Sequence, residues 1–345
     1  MTVSAALRGD GRVAPMTREK ILAEARRLGY TPNSRLSRLM TEVAAVRHRT
    51  YRGLLAYLHT EETKDGWEKN DGKSYDAICK RAEHYGYQVE PFWVSDPELS
   101  PDRINRILWS RGVEGIIMPN LAWNWFCKGK RTFPLDWSKF CAVEINDTII
   151  KPTLNLVRHN HFEGIVNAIG RLESMGYRRI GLCLKSEDDL RTHHRWTAAY
   201  LLWHTMRGLP SSLKPLLADD IKAPALKAWV DRHQIEVVVS PGLAVLRGLR
   251  EAGYSVPDEV GFASLDLWGN GWSTVTGVDQ QHAKMLCPMA VDFLVNLIYK
   301  RARGVPENPI QWIYPGVWRN GKTTRQQTSA PPVKNLSEEL LRIEG

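Results

Sequence analysis

The sequence predicts an α/β protein built on doubly wound parallel sheets and preceded by a small basic head. Two observations carry this. From residue 52 onwards, short β-rich runs alternate with amphipathic helical segments, and apolar strands that alternate with helices are those buried on both faces of a parallel sheet. The charge is also uneven: residues 1–52 hold eleven Lys and Arg against four Asp and Glu, although the whole chain carries 47 against 38. Such a surplus is the electrostatic footprint of a nucleic-acid-binding module attached to a nearly neutral body. A solvated basic face with no partner would look the same. The length agrees, since 345 residues that are 43% apolar allow two or three units of about 100 to 200 residues.

Composition also excludes some classes. No apolar run reaches the roughly 20 residues needed to cross a bilayer, and Met1-Thr2-Val3-Ser4 does not open a basic then apolar leader. No membrane association is expected. The five cysteines (Cys79, Cys127, Cys141, Cys183, Cys287) are far apart and never spaced as CxxC, which argues against a disulfide framework or a zinc ribbon and for a reduced, cytoplasmic interior. Neither a metal nor a cofactor is expected.

In the head, Pro15 suits a first helical turn, and Ile21, Leu22, Ala25 and Leu28 follow at helical spacing until Gly29. This predicts a helix over 15–28. Before it, Val3, Ala6 and Leu7 share one face of 2–8, which ends at the turn Gly9-Asp10-Gly11. After it, Tyr30-Thr31-Pro32-Asn33 breaks the chain before a Leu/Arg segment over 34–40. In the body, strands are expected over 53–59, 88–94, 115–118, 140–145, 179–184, 237–239 and 261–265. Helices are expected over 74–85, 101–110, 162–175, 223–232 and 243–252. Ligands of such sheets bind outside the carboxyl ends of the strands.

The runs Thr2-Val3-Ser4-Ala5-Ala6-Leu7, Arg12-Val13, Thr17-Arg18-Glu19-Lys20 and Leu28-Gly29-Tyr30-Thr31-Pro32-Asn33 closely resemble, in order and spacing, the head of LacI/GalR-type transcription repressors. The resemblance implies a partial helix-turn-helix head over 1–33 and a hinge helix with linker over 34–51. It places Thr2, Ser4, Arg8, Arg12, Thr17 and Asn33 against DNA, with Leu36 and Leu39 at the minor groove, where a Leu wedge can kink a base step. It begins in the middle of the recognition helix, and Ala5 stands where the family commonly has a base-reading Arg. A start codon assigned too far downstream is the expectation, a headless regulator the alternative. Leu36 replaces the usual Ala and Ser37 the usual Arg. Leu36, Leu39 and Met40 could instead pack in the dimer.

The body resembles the effector core of the same family, itself similar to periplasmic sugar-binding proteins. The carriers are Arg111-Gly112-Val113-Glu114-Gly115-Ile116-Ile117, Asn160-His161-Phe162-Glu163-Gly164, Met175-Gly176-Tyr177-Arg178-Arg179-Ile180-Gly181, Gly253-Tyr254-Ser255-Val256-Pro257-Asp258-Glu259-Val260 and Thr276-Gly277-Val278-Asp279-Gln280-Gln281. The similarity implies a two-lobed, periplasmic-binding-protein-like core over 52–325. Its N-lobe would take about 52–154 plus 282–309, its C-lobe about 155–281 plus 310–325, leaving 326–345 as a tail. Arg195 falls at the family's ligand-binding Arg and Asp266 at an Asp closing a strand. A guanidinium and a carboxylate suit vicinal hydroxyls, one donating and one accepting, although a structural ion pair would use the same residues. Asn160 and His159 join this candidate effector set, His159 standing where the family often has Asp. Ser240-Pro241-Gly242 replaces the usual Asn-Asp.

Thirteen tryptophans are present. Trp67, Trp123, Trp125 and Trp268 fall in expected loops after strands, where a ring could stack on a sugar or simply pack; Trp268 is the one assigned to the effector. His159-Asn160-His161, Thr192-His193-His194 and Glu187-Asp188-Asp189 match no catalytic spacing such as HExxH, a Walker loop or GxSxG, so no enzyme is expected. The function implied is a cytoplasmic, homodimeric repressor that binds operator DNA and a small polar effector, in kind a sugar. The alternative is a headless cytoplasmic solute-binding sensor.

Overall fold

The computed structural model describes residues 14–27, 52–63, 66–68, 72–96, 99–122, 125–126, 128–209, 213–267 and 272–326. In chain order these form α1 (Pro15–Arg27), β1 (Gly53–His59), α2 (Gly72–His84), β2 (Tyr87–Trp93), α3 (Pro101–Ser110), β3 (Val113–Met118), β4 (Cys141–Ile145) and β5 (Asn155–His159). Next come α4 (His161–Ser174), β6 (Ile180–Lys185), α5 (Ser186–Arg191), α6 (Arg195–Met206), β7 (Leu216–Ala218), α7 (Ala223–His233), β8 (Val237–Ser240) and α8 (Leu243–Glu251). The last elements are β9 (Gly261–Leu267), β10 (Gly277–Asp279), a π-helical turn over His282–Leu286, α9 (Cys287–Lys300), β11 (Gln311–Tyr314) and β12 (Val317–Arg319).

These strands make two sheets, as the alternation of strand and helix predicts. The first has the order β11-β5-β4-β3-β1-β2, and its neighbours from β5 to β2 all pair in parallel. The second has the order β12-β10-β9-β8-β6-β7 and is parallel except for β12, which runs antiparallel to β10. The chain divides into two compact units. One runs up to Val157 and takes in Cys287–Trp312; the other holds Arg158–Leu286 and resumes at Ile313. Each change of unit falls a few residues beyond the position that the sequence suggested.

Alternation along the strands explains why both faces of the second sheet are apolar. Leu182 and Leu184 of β6, Val237 and Val239 of β8, and Ala263 and Leu265 of β9 join one core, with Ile165, Ile169 and Leu172 of α4 and Trp196, Tyr200 and Trp203 of α6. The intervening Cys183, Val238 and Phe262 join the opposite core, with Leu226, Trp229 and Val230 of α7 and Leu246 and Leu249 of α8. A period of two thus feeds two layers. In the first unit, every residue of β1 is buried, and Leu54, Ala56 and Leu58 pack with Ile104 and Leu108 of α3 and Ile116 of β3. β10 can approach β9 only because residue 277 is glycine: its φ is +154°, and a Cβ there would lie 2.2 Å from the carbonyl oxygen of Ser264.

Helix starts follow local chemistry. Ser100 accepts from the Arg103 N–H at 3.3 Å, with Pro101 in the first turn of α3. Three helices escape the sequence pattern, among them the six-residue α5. In α6, Trp196, Ala199, Tyr200 and Trp203 are buried while Leu201, Leu202 and Met206 are exposed, so apolar residues surround the helix and erase the amphipathic signal. Helix α9 buries Cys287, Ala290, Val291, Phe293, Leu294, Val295 and Leu297 and exposes Asn296, Tyr299 and Lys300.

Candidate functional site

Strands β6, β8 and β9 run parallel, so their carboxyl ends share one edge of the second sheet. There β6 passes straight into α5, whose first turn carries Glu187, Asp188 and Asp189. Asp189 is buried and builds the turn that follows: its carboxylate accepts from Thr197 Oγ1 and pairs with His194 Nδ1, both at 2.7 Å. His193 and His194 are in the left-handed conformation, with φ of 52° and 58°. The carboxylate therefore holds the second of these residues, His194, in a backbone that non-glycine residues disfavour, just before Arg195 starts α6, where its Nη1 donates to the Thr192 carbonyl at 3.3 Å. The His-His dipeptide and the acidic triplet are thus parts of one turn.

Asp266 lies near the end of β9, partly buried, with its N–H donating to Ser264 Oγ at 3.1 Å. Its carboxyl is pushed up to about 6, first by burial and then by the charge of Asp188, with Arg191 opposing and Asp279 adding to the rise. The Asp188 carboxyl is raised too, again by burial first, against Arg191 and Lys185. The cation acting on both carboxylates is Arg191, which the sequence patterns do not single out. The reason is local: Arg191 closes the short helix α5, invisible as an amphipathic segment. Carboxylates that accept and a guanidinium that donates, gathered at strand ends, can bind the hydroxyls of a small polar molecule.

Asn160 and His159 have definite partners. Asn160 caps α4, its Oδ1 accepting from the Glu163 N–H at 3.2 Å and its Nδ2 donating to Glu163 Oε2 at 2.8 Å. His159 is buried in β5, with Nε2 3.3 Å from His282 Nδ1. Burial, and then His282 and His161, hold His159 well below the usual imidazole range, and burial brings His282 down to about 4. Both are neutral at pH 7. His161 packs edge-on against Trp196 at 4.9 Å. Among the described residues, no three His, Cys, Asp or Glu side chains are grouped to hold a metal ion.

Trp125 stacks on Phe133 at 5.8 Å, and Trp203 donates to the buried Glu173 at 3.0 Å beside Arg207, so these rings pack. Trp268 and Trp123 lie outside the described residues, as do Thr2, Ser4, Arg8, Arg12, Asn33, Leu36 and Leu39. Thr17 is exposed in the first turn of α1, its N–H donating to the Ala14 carbonyl at 3.0 Å.

Two parallel-dominated sheets with helices on their faces define the class: residues 169–323 match the periplasmic binding protein-like domain. The particular likenesses are to regulators. A transcriptional regulator CelR–cellobiose complex superposes with a TM-score of 0.58 at 19% identity, over 93% of this chain and 95% of that one. The lac repressor dimer bound to operator and the anti-inducer ONPF gives 0.54 at 18% identity, over 94% of each chain. A periplasmic binding protein/LacI transcriptional regulator from Alkaliphilus metalliredigens QYMF, complexed with D-xylulofuranose, gives 0.57 at 16% identity, over 79% of this chain and 99% of that one. Comparison with curated protein sequences gives no match. The chain shares the fold of LacI-type regulators, in line with the resemblance of its sequence. No helix among the described residues is long and apolar enough to cross a membrane.

Proposed function

We propose that this chain is a cytoplasmic, homodimeric DNA-binding repressor of the LacI/GalR type, whose core binds a small sugar and couples it to operator binding. The observation that carries the reading is the group of Asp188, Asp266 and Arg191 at the strand ends of a periplasmic-binding-protein-like sheet. Donors and acceptors of fixed direction are what vicinal hydroxyls need. Neighbours of the same fold carry cellobiose or D-xylulofuranose, and another is bound to operator, which supports both halves of the proposal. Arg195 begins the helix beside this group and completes its donor set, with Asn160, His159 and Trp268 as further contacts. Thr2, Ser4, Arg8, Arg12, Thr17, Asn33, Leu36 and Leu39 face DNA. The effector changes DNA affinity because it binds one state of the regulator better than the other.

Thermal shift of the full chain against mono- and disaccharides identifies the effector, and calorimetry on Asp266→Ala tests the site. Losing a charged hydrogen-bond partner lowers affinity about ten- to a hundredfold. Unchanged affinity moves the site elsewhere, and no stabilisation by any sugar refutes the effector class. Duplexes selected from a random pool should bind with affinity that falls steeply with salt; failure to enrich any sequence refutes the operator half.

A further inference from the structure

Within the second unit, helix α6 turns an apolar face to solvent. Ala198, Leu201, Leu202, Thr205 and Met206 are all exposed, and their spacing of three and four residues sets them on one stripe of the helix. Leu201 is 46% exposed, Leu202 39% and Met206 42%. None of the five is charged, and the Thr205 hydroxyl donates to the Leu201 carbonyl at 2.9 Å. The other side is already packed, because Trp196, Ala199, Tyr200 and Trp203 enter the core beside residues of α4. A helix that is apolar all round belongs where it is covered all round.

The chain leaves the described structure beside one end of this helix. Helices α4 and α6 lie side by side in the same direction: His161 meets Trp196 near their starts, with ring centroids 4.9 Å apart, and near their ends Glu173 accepts from Trp203 and Arg207 at 3.0 and 2.9 Å. At that same end Gln326, the last described residue, donates through Nε2 to the Ser174 carbonyl at 3.4 Å. Further on, Val333, Leu336, Leu340 and Ile343 recur at steps of three, four and three residues, with Lys334, Glu338, Glu339 and Arg342 between them. This is the spacing that lines apolar side chains along one seam of a helix. At 1.5 Å per residue, a helix from Val333 to Ile343 would rise about 15 Å and the stripe from Ala198 to Met206 rises about 12 Å. Residues 327–332 can span up to about 20 Å, and packed helix axes lie only about 8 to 10 Å apart.

We infer that residues 333–343 form a helix that docks on the outer face of α6 of the same chain, with Val333, Leu336, Leu340 and Ile343 against Leu201, Leu202 and Met206. The chain arrives at the carboxyl end of α6, so the docked helix runs antiparallel to it. A helix of this length is marginal alone in water, so the segment is helical only while it is docked. The contact covers the apolar side of α6 and keeps it from other chains. It depends on neither the sugar nor the operator reading.

The test is hydrogen exchange of the full chain, read by mass spectrometry in wild type, Leu202→Lys and Leu340→Lys, with sedimentation over a range of concentrations. In wild type the amides of 333–343 should exchange at least about tenfold more slowly than in a free chain. Either substitution should abolish that protection while the amides of β6, β8 and β9 exchange as in wild type. Leu340→Lys, which alters no residue of either core, should also speed exchange across 201–206 at least about threefold as α6 loses its cover. Fast exchange of 333–343 in wild type overturns the inference. So does protection that survives Leu202→Lys, or exchange across 201–206 that Leu340→Lys leaves unchanged. Protection that disappears on dilution assigns the face to a second copy and also overturns it, as does a Leu202→Lys chain that sediments as a smaller species with the exchange of 333–343 unaltered.

Discussion

Glu144 offers a sharp test of the electrostatics of the first unit. It is buried at the end of β4, and Oε1 accepts from the Ile149 N–H at 2.8 Å, closing the turn in which Asn146 and Asp147 take positive φ. Burial pushes its carboxyl up from 4.5 to about 8, with the Ile149 N–H opposing and Asp147 adding to the rise. A carboxyl whose folded value lies above its unfolded value holds its proton in the fold after the unfolded chain has released it. It therefore costs nothing below about pH 4.5, and its effect on stability grows more unfavourable until about pH 8. At about 1.4 kcal/mol per unit, the cost is about 3 kcal/mol at pH 7 and about 4 kcal/mol at pH 8. Glu144→Gln keeps the accepting oxygen and cannot ionise. Urea unfolding of wild type and variant at pH 5, 6.5 and 8 should show the variant gaining on wild type by about 3 kcal/mol across the series. A constant difference would mean that Glu144 is ionised in the fold, and the reasoning from burial would fail.

Two further perturbations test the second unit. Gly277→Ala would bring a Cβ within 2.2 Å of the Ser264 carbonyl oxygen, so β10 must leave β9, and denaturation should show a loss of at least about 3 kcal/mol; a loss under about 1 kcal/mol would refute the close approach. Asp189→Ala removes the acceptor of Thr197 and His194 and should cost about 2 to 3 kcal/mol. Thr197→Val should cost less, and equal unfolding curves for wild type and Asp189→Ala would show that the turn does not need its carboxylate.

Much of the fold is legible in the sequence because each unit repeats one local device. Strand 53–59 and helix 101–110 appear with the bounds their residues suggest, since every residue of β1 is apolar or aromatic up to His59 and Ser100-Pro101 is a strong helix start. The missed helix α6 has apolar residues around its whole circumference, where a period of 3.6 leaves no trace, and α5, with six residues, is too short to show one. Sites are harder to see. Asp266 is recognisable from its place after a strand, but nothing local shows that Arg191 acts on it across α5, or that Asn160 spends its amide on Glu163.

The sequence by itself determined the strand and helix alternation, the surplus of basic residues near the start, and the strand end near which Asp266 lies, because these follow from periodicity, charge and chain order. Only the tertiary structure decided which titratable groups meet. Whether Glu144 is surrounded by apolar neighbours and which arginine faces Asp266 depend on residues far apart in the chain but brought together at parallel strand ends. Desolvation and charge act through space, and the linear order of residues does not encode those distances.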